Sequence, residues 1–179
     1  RERKWIQEIF IKYSRRVDFN LLAIREVPNE KKALGDLALK INPTILQFIF
    51  STKKNRKRKI ETRIYFLRKK IQKEILLNSK KTYICSFSSK TIVYKGLMAS
   101  TQLDQFYLDL SNKNFIVKVA LFHERFSTNT GSTWDMAQPF QMVAHNGEFN
   151  TIKGNRLWMK ARENEISSKF WASDLDSIK

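Results

Sequence analysis

Over the first sixteen positions Trp5, Ile6, Ile9, Phe10 and Tyr13 recur at helical spacing with charged residues between them. That spacing gathers them on one face and predicts an amphipathic helix over 1–16. Phe19 to Val27 reads as a short apolar strand, broken by Pro28-Asn29-Glu30. Ala33 to Leu39 suits a short helix or turn, and beyond Pro43 the β-rich run from Thr44 to Phe50 predicts a second strand. The basic run Lys53, Lys54, Arg56, Lys57, Arg58 and Lys59 opens the next segment, where Ile60, Ile64, Leu67, Ile71 and Ile75 repeat at helical spacing. This is the longest helix predicted. Its apolar stripe needs a sheet or helix to cover it, and its charged face is read as solvated.

From Thr82 to Leu97 the run YICSFSSKTIVYKG alternates and is rich in β-branched and aromatic residues, which predicts a β-hairpin turning at Ser88-Ser89-Lys90 with Cys85 in its first strand. A short helix around Thr101 to Tyr107 and a strand from Phe115 to Phe122 are expected next. The character then changes. Gly131, Gly147 and Gly154 and both histidines, His123 and His145, fall among Asn, Ser and Thr residues between 123 and 154. Loops of that content, held by strands, are where sites are built. Glu148 to Asn164 closes the pattern as a helix with Trp158-Met159 expected to face the core. No internal repeat and no linker divides the chain.

Composition narrows the class. A chain of 179 residues accommodates one domain, or part of one, with a real core. Apolar residues at 42% and aromatics at 12% exclude a disordered chain, and no apolar run approaches the roughly 20 residues that span a bilayer. Arg1-Glu2-Arg3-Lys4-Trp5 offers neither an initiator Met nor a signal core, and reads as a cut end. A lone cysteine, Cys85, can form no internal disulfide and has no partner thiols for zinc, which favours a reducing compartment. The formal charge of +17 attracts phosphate backbones, so a basic nucleic-acid-binding module centred on 53–59 stands as the alternative function. The plainer source of that charge is codon bias in an AT-rich genome, since Lys, Ile, Asn and Phe abound while Gly and Ala are few. Two histidines with nearby carboxylates do not fill a zinc shell, and no metal is expected.

Two segments carry candidate chemistry, Phe122-His-Glu-Arg-Phe-Ser-Thr-Asn-Thr130 and Ala144-His-Asn-Gly-Glu-Phe-Asn-Thr151. The first follows a predicted strand and offers the Arg125 guanidinium near the Thr128 hydroxyl, a pair suited to a small carboxylate ligand. Surface ion pairing is the plain alternative for Arg125. The second places the Asn146 amide beside Gly147 at a strand-to-helix junction, where backbone N–H groups can face a developing negative charge. Taken singly, Asn-Gly is also an ordinary turn dipeptide, and His145 an ordinary hydrogen-bonded core residue.

HERFSTNT, SxWxxAQPF and AHNGEFNTIKGNRLWMKARE, preceded in order by REVP, YICSFSSKTIVYKGL and QLDQFYLDL, closely resemble the glutaminase domain of glutamate synthase large chains, a class II glutamine amidotransferase. The resemblance covers nearly the whole chain and makes 1–179 part of one such domain. It implies an α+β fold, the N-terminal nucleophile hydrolase-like αββα sandwich of four layers, here incomplete. A cysteine at the mature N-terminus would attack the glutamine side-chain amide, with the terminal amine as base. Arg125 matches the residue that holds the glutamine α-carboxylate, with Phe126 and Thr128 lining the pocket. Asn146 (side chain) and Gly147 (backbone N–H) match the oxyanion hole, and His145 would support that loop.

Departures from the family accompany these matches. No cysteine stands at residue 1, Cys85 has no adjacent free amine, and the chain is expected to stop short of the family's SDS-type aspartate motif. Asp174 and Asp176 are not assigned that role. The fragment alone is therefore expected to be inactive. The resemblance implies no cofactor in this segment, with FMN and an iron–sulfur cluster elsewhere in the full-length enzyme. It implies glutamine as ligand and ferredoxin or an NADPH-dependent reductase subunit as electron source. No membrane partner is implied. A plastid stroma is the favoured location and a bacterial cytoplasm the alternative.

Overall fold

The computed structural model describes residues 2–53, 57–79, 81–126, 131–139, 151–169 and 171–178. Helix α1, Glu2–Ser14, forms where the apolar spacing predicts it and buries Ile6, Ile9 and Phe10. A short 3-10 turn, Arg15–Val17, follows and ends at Asp18 in the left-handed region (φ 56°, ψ 39°), a conformation that Asp tolerates better than most residues. The chain then reverses into β1, Asn20–Glu26. After Pro28 come a 3-10 turn at Lys31–Ala33 and the short helix α2, Asp36–Lys40. Strand β2, Leu46–Ser51, pairs antiparallel with β1 from Asn20 opposite Ser51 to Glu26 opposite Leu46, with a bulge between Leu21 and Ala23.

Helix α3, Lys57–Asn78, is the longest element among the described residues. Its predicted stripe is buried almost completely, with Ile71 at 0% and Leu67 at 1% exposure. Both expected covers are present. Helix α1 supplies Ile6, Ile9 and Phe10, and β2 of the two-stranded sheet supplies Phe48 and Phe50. Phe10 stacks on Phe48 at 4.2 Å between ring centroids, an arrangement that adds to simple area burial.

A second core gathers Val27, Leu34, Ala38, Phe106, Tyr107 and Trp134. Helix α4, Leu103–Phe106, brings Phe106 and the following Tyr107 to its centre. The Tyr107 hydroxyl donates to the Lys95 carbonyl at 2.7 Å, and Glu30 N–H donates to Phe106 O at 2.8 Å. Helix α5, Ile152–Arg162, and helix α6, Leu175–Ile178, complete the described elements. Near α6, Trp171 stacks on Phe66 of α3 at 5.6 Å.

Three predicted features differ. Residues 82–97 form no strands. The turn at Ser88-Ser89 is present, held by the Glu61 carboxylate of α3, which accepts from Ser88 Oγ and from both N–H and Oγ of Ser89. The two arms, however, meet through side chains: Ser86 Oγ accepts Val93 N–H at 3.2 Å and Cys85 Sγ donates to Val93 O at 3.4 Å. These side-chain bonds occupy the backbone groups that a ladder would use. Residues 115–122 also form no strand, because no neighbouring strand among the described residues meets their backbone, and Ile116, Val119 and Phe122 stand exposed. Trp158 and Met159 do lie on a helix, but they are 75% and 52% exposed rather than core-facing, since no described element packs over that face. The described residues therefore show an α+β arrangement around one two-stranded sheet.

The two cores are joined by a polar clasp. Arg25 of β1 donates to both Asp109 oxygens, at 3.0 and 2.5 Å, and its Nε donates to Gln47 of β2. Tyr94 Oη donates to the same Asp109 carboxylate at 2.8 Å. The Arg25 hydrogen bonds, aided by that of Tyr94, hold the Asp109 carboxyl below the usual carboxylate range despite partial burial. A carboxylate with a lowered folded-state pKa stabilises the fold above its unfolded value, about 4, and loses that contribution as pH falls through the folded value. Asp109→Asn should therefore cost about 1–2 kcal/mol near neutral pH. The gap between it and the unsubstituted protein should close below about pH 4. Urea denaturation across pH checks both the size and the sign.

Candidate functional site

The segment bearing the sequence signatures leaves the second core after 3-10 residues Leu108–Ser111. His123, Arg125 and Phe126 lie on an extended stretch. Phe126 is 40% exposed, the Arg125 side chain faces solvent, and the His123 ring nitrogen Nε2 contacts the Arg125 carbonyl. Thr128, His145, Asn146 and Gly147 lie outside the described residues, so of the predicted set the structure describes only Arg125 and Phe126, which are neighbours in sequence. Beyond the second signature, α5 lies within the helix expected over 148–164, and the junction expected at Asn146-Gly147 lies outside the described residues.

Between the two signatures sits the one stretch of this segment that reaches the core. Among the described residues beyond Asn112, only Trp134 and Ala137 are buried, at 4% and 2% exposure. They belong to a single helical turn closed by Ala137 N–H donating to Thr133 O at 3.1 Å. Trp134 packs beside Phe106, and its indole N–H donates to the Ala38 carbonyl at 3.3 Å. Gly96 lets the indole approach: a Cβ there would lie 2.6 Å from Trp134 Cζ3.

Lys95 is the residue that sequence reasoning missed. It is 5% exposed, and its ammonium donates to the carbonyls of Asp135 at 2.7 Å and Ala137 at 3.0 Å. The Tyr83 ring lies 5.3 Å from its Nζ. Burial lowers the Lys95 pKa, against the opposing pull of Cys85 and Asp135. The available signal was a cation closing the apolar stretch Thr91 to Tyr94, directly before a glycine.

Cys85 lies close enough to Lys95 to interact with it and is half-buried. Burial pushes its thiol pKa up, with Lys95 opposing the shift. A thiol kept protonated is a poor nucleophile, so its setting is that of a packed side chain. Cys85 should accordingly react with iodoacetamide at least about tenfold more slowly in the folded protein than in urea. Peptide-resolved mass spectrometry after timed labelling checks this.

A sequence model for glutamine amidotransferases class-II matches residues 1–179. The chain belongs to the class-II glutamine amidotransferases. It is 46% identical over 154 residues, 84% of its own length, to a ferredoxin-dependent glutamate synthase of Cyanidium caldarium. It is 39% identical over 97% of its length to one of Antithamnion sp., and 40% identical over 96% of its length to a glutamate synthase [NADH] of Saccharomyces cerevisiae. The chain spans only 10%, 12% and 8% of these relatives, respectively.

Membership of this amidotransferase family carries the N-terminal nucleophile fold class expected from the motifs, of which the described α+β elements are a part. Nothing in these relatives supports a nucleic-acid-binding reading of 53–59. No helix among the described residues is long and apolar enough to cross a membrane.

Proposed function

We propose that residues 1–179 form part of the glutamine-hydrolysing domain of a glutamate synthase. The supporting observation is the family match over 1–179 together with relatives of 39–46% identity that are glutamate synthases of ferredoxin, NADH and NADPH types. In this reading a cysteine thiolate supplied elsewhere in the protein attacks the carbonyl carbon of the glutamine side-chain amide. The C=O electron pair moves onto oxygen, the tetrahedral intermediate expels ammonia after proton transfer to nitrogen, and water cleaves the resulting thioester to glutamate. Cys85 takes no part, because its half-buried setting disfavours the thiolate and a backbone carbonyl, that of Val93, accepts its thiol hydrogen bond.

Arg125 pairs with the glutamine α-carboxylate, and Phe126 and Thr128 line the pocket beside it. The Asn146 side chain and Gly147 N–H hold the oxyanion, a task in which each donor is worth about 100- to 1,000-fold in rate. His145 supports that loop. The released ammonia then feeds reductive amination of 2-oxoglutarate in another part of the same enzyme. FMN and an iron–sulfur cluster belong to that part. The residues present do not fit such a cluster, since a cluster needs several thiolates and the chain has Cys85 alone. Ferredoxin, or a reductase subunit using NADPH, supplies the electrons. A plastid stroma is the location in line with the algal relatives and with a rice relative described as chloroplastic.

The test separates the two half-reactions in the full-length protein. Asn146→Ala should lower glutamine-driven glutamate formation about 100- to 1,000-fold, and Arg125→Ala should abolish it at ordinary glutamine concentrations through loss of the carboxylate contact. Both variants should keep ammonia-driven glutamate formation. Equal loss of both activities would overturn these residue roles.

A further inference from the structure

We propose that Lys95 is a positioning residue for glutamine hydrolysis, fixing the turn through which the signature-bearing segment holds to the core. The inference rests on the glutaminase reading above. Its basis is an asymmetry of burial. Among the described residues, the chain beyond Asn112 enters the interior only at Trp134 and Ala137. In sequence this turn lies between Arg125 and Phe126 on one side and Asn146 and Gly147 on the other. Among the described residues beyond Asn112, this turn is thus the core-fixed point that lies in sequence between the two signatures.

Two neighbouring residues clamp it. Gly96 leaves room for the Trp134 indole, while the Lys95 ammonium reaches the carbonyls of Asp135 and Ala137. Those carbonyls lie two residues apart, so bonding both fixes the rotation of the turn as well as its distance from the core. The clamp is itself braced. The Lys95 carbonyl accepts the buried Tyr107 hydroxyl, and the Tyr83 ring lies beside the ammonium.

Packing alone does not account for this side chain. Burying an ammonium carries a desolvation penalty that a methionine of similar length would avoid. What the ammonium adds is direction, because its hydrogen bonds weaken steeply when the turn rotates. Geometry of this kind matters for catalysis more than for binding, since a misplacement of about 1 Å can cost about 100-fold in rate.

The experiment uses the full-length protein and the variants Lys95→Met and Lys95→Arg. It measures kcat and KM for glutamine, ammonia-driven glutamate formation, and the melting temperature. Lys95→Met should lower the glutamine kcat about 100-fold. Its KM for glutamine should rise by a smaller factor, through the Arg125 side of the site, and its ammonia-driven activity should stay within about twofold of the unsubstituted protein. Lys95→Arg, which keeps a cation able to reach a carbonyl, should recover at least about tenfold of the lost kcat. An unchanged kcat in Lys95→Met overturns the proposal. So does parallel loss of both activities with a lowered melting temperature in both variants, which would mark Lys95 as a stabilising residue only. An unsubstituted protein that makes glutamate from ammonia but not from glutamine overturns the glutaminase reading itself.

Discussion

Burial of the apolar stripe on α3 is the constraint from which the rest of the described structure follows. Ile64, Leu67, Ile71 and Ile75 present a continuous surface at the spacing of a helix face, and they leave almost no area exposed. Helix α1 and the aromatic face of the β1–β2 sheet exist as ordered elements because that surface gives their own apolar sides somewhere to go. A helix or a two-stranded hairpin alone is marginal in water. Each is stable here by virtue of the others. The polar exterior of α3 then takes up a secondary task, with Glu61 holding the Ser88-Ser89 turn.

Polar contacts with several simultaneous partners join this first core to the second. Asp109 receives Arg25 from one strand and Tyr94 from the 82–97 loop. Tyr107 packs edge-on against both Tyr94 and Phe106 while donating to the backbone at Lys95. The arrangement places direction-dependent bonds where apolar packing would leave freedom to slide. Lys95 continues that logic one step outward, from the second core to the turn at Trp134.

The elements legible in the sequence are those whose partner is implied by their own periodicity. Helices α1 and α3 and strands β1 and β2 formed close to their predicted bounds, because each helix carries an apolar stripe that specifies a buried face and each strand enough apolar residues to pack at least partly against it or to pair. The arms of 82–97 carry the same alternation, but alternation says which side chains share a face and not which backbone groups will pair. Ser86 and Cys85 took those groups instead. Trp158 and Met159 show the same limit on a helix: the stripe was legible, its cover was not. At the candidate site the family motifs marked Arg125 and Phe126, whereas Lys95 escaped notice because charge in a predicted strand is ordinarily assigned to its solvated side.

The run Phe115 to Phe122 has a physical consequence of its own. It alternates little, it exposes large apolar groups along its length, and Lys118 is its single charged residue. An extended apolar segment with few charges that pairs with no strand is a template for edge-to-edge association with a like segment. A large net positive charge spread over the chain opposes such association only weakly at physiological salt, where screening acts within about 8 Å. The solubility of this part of the molecule is therefore governed by whatever lies over that run, and not by the charge of the chain as a whole.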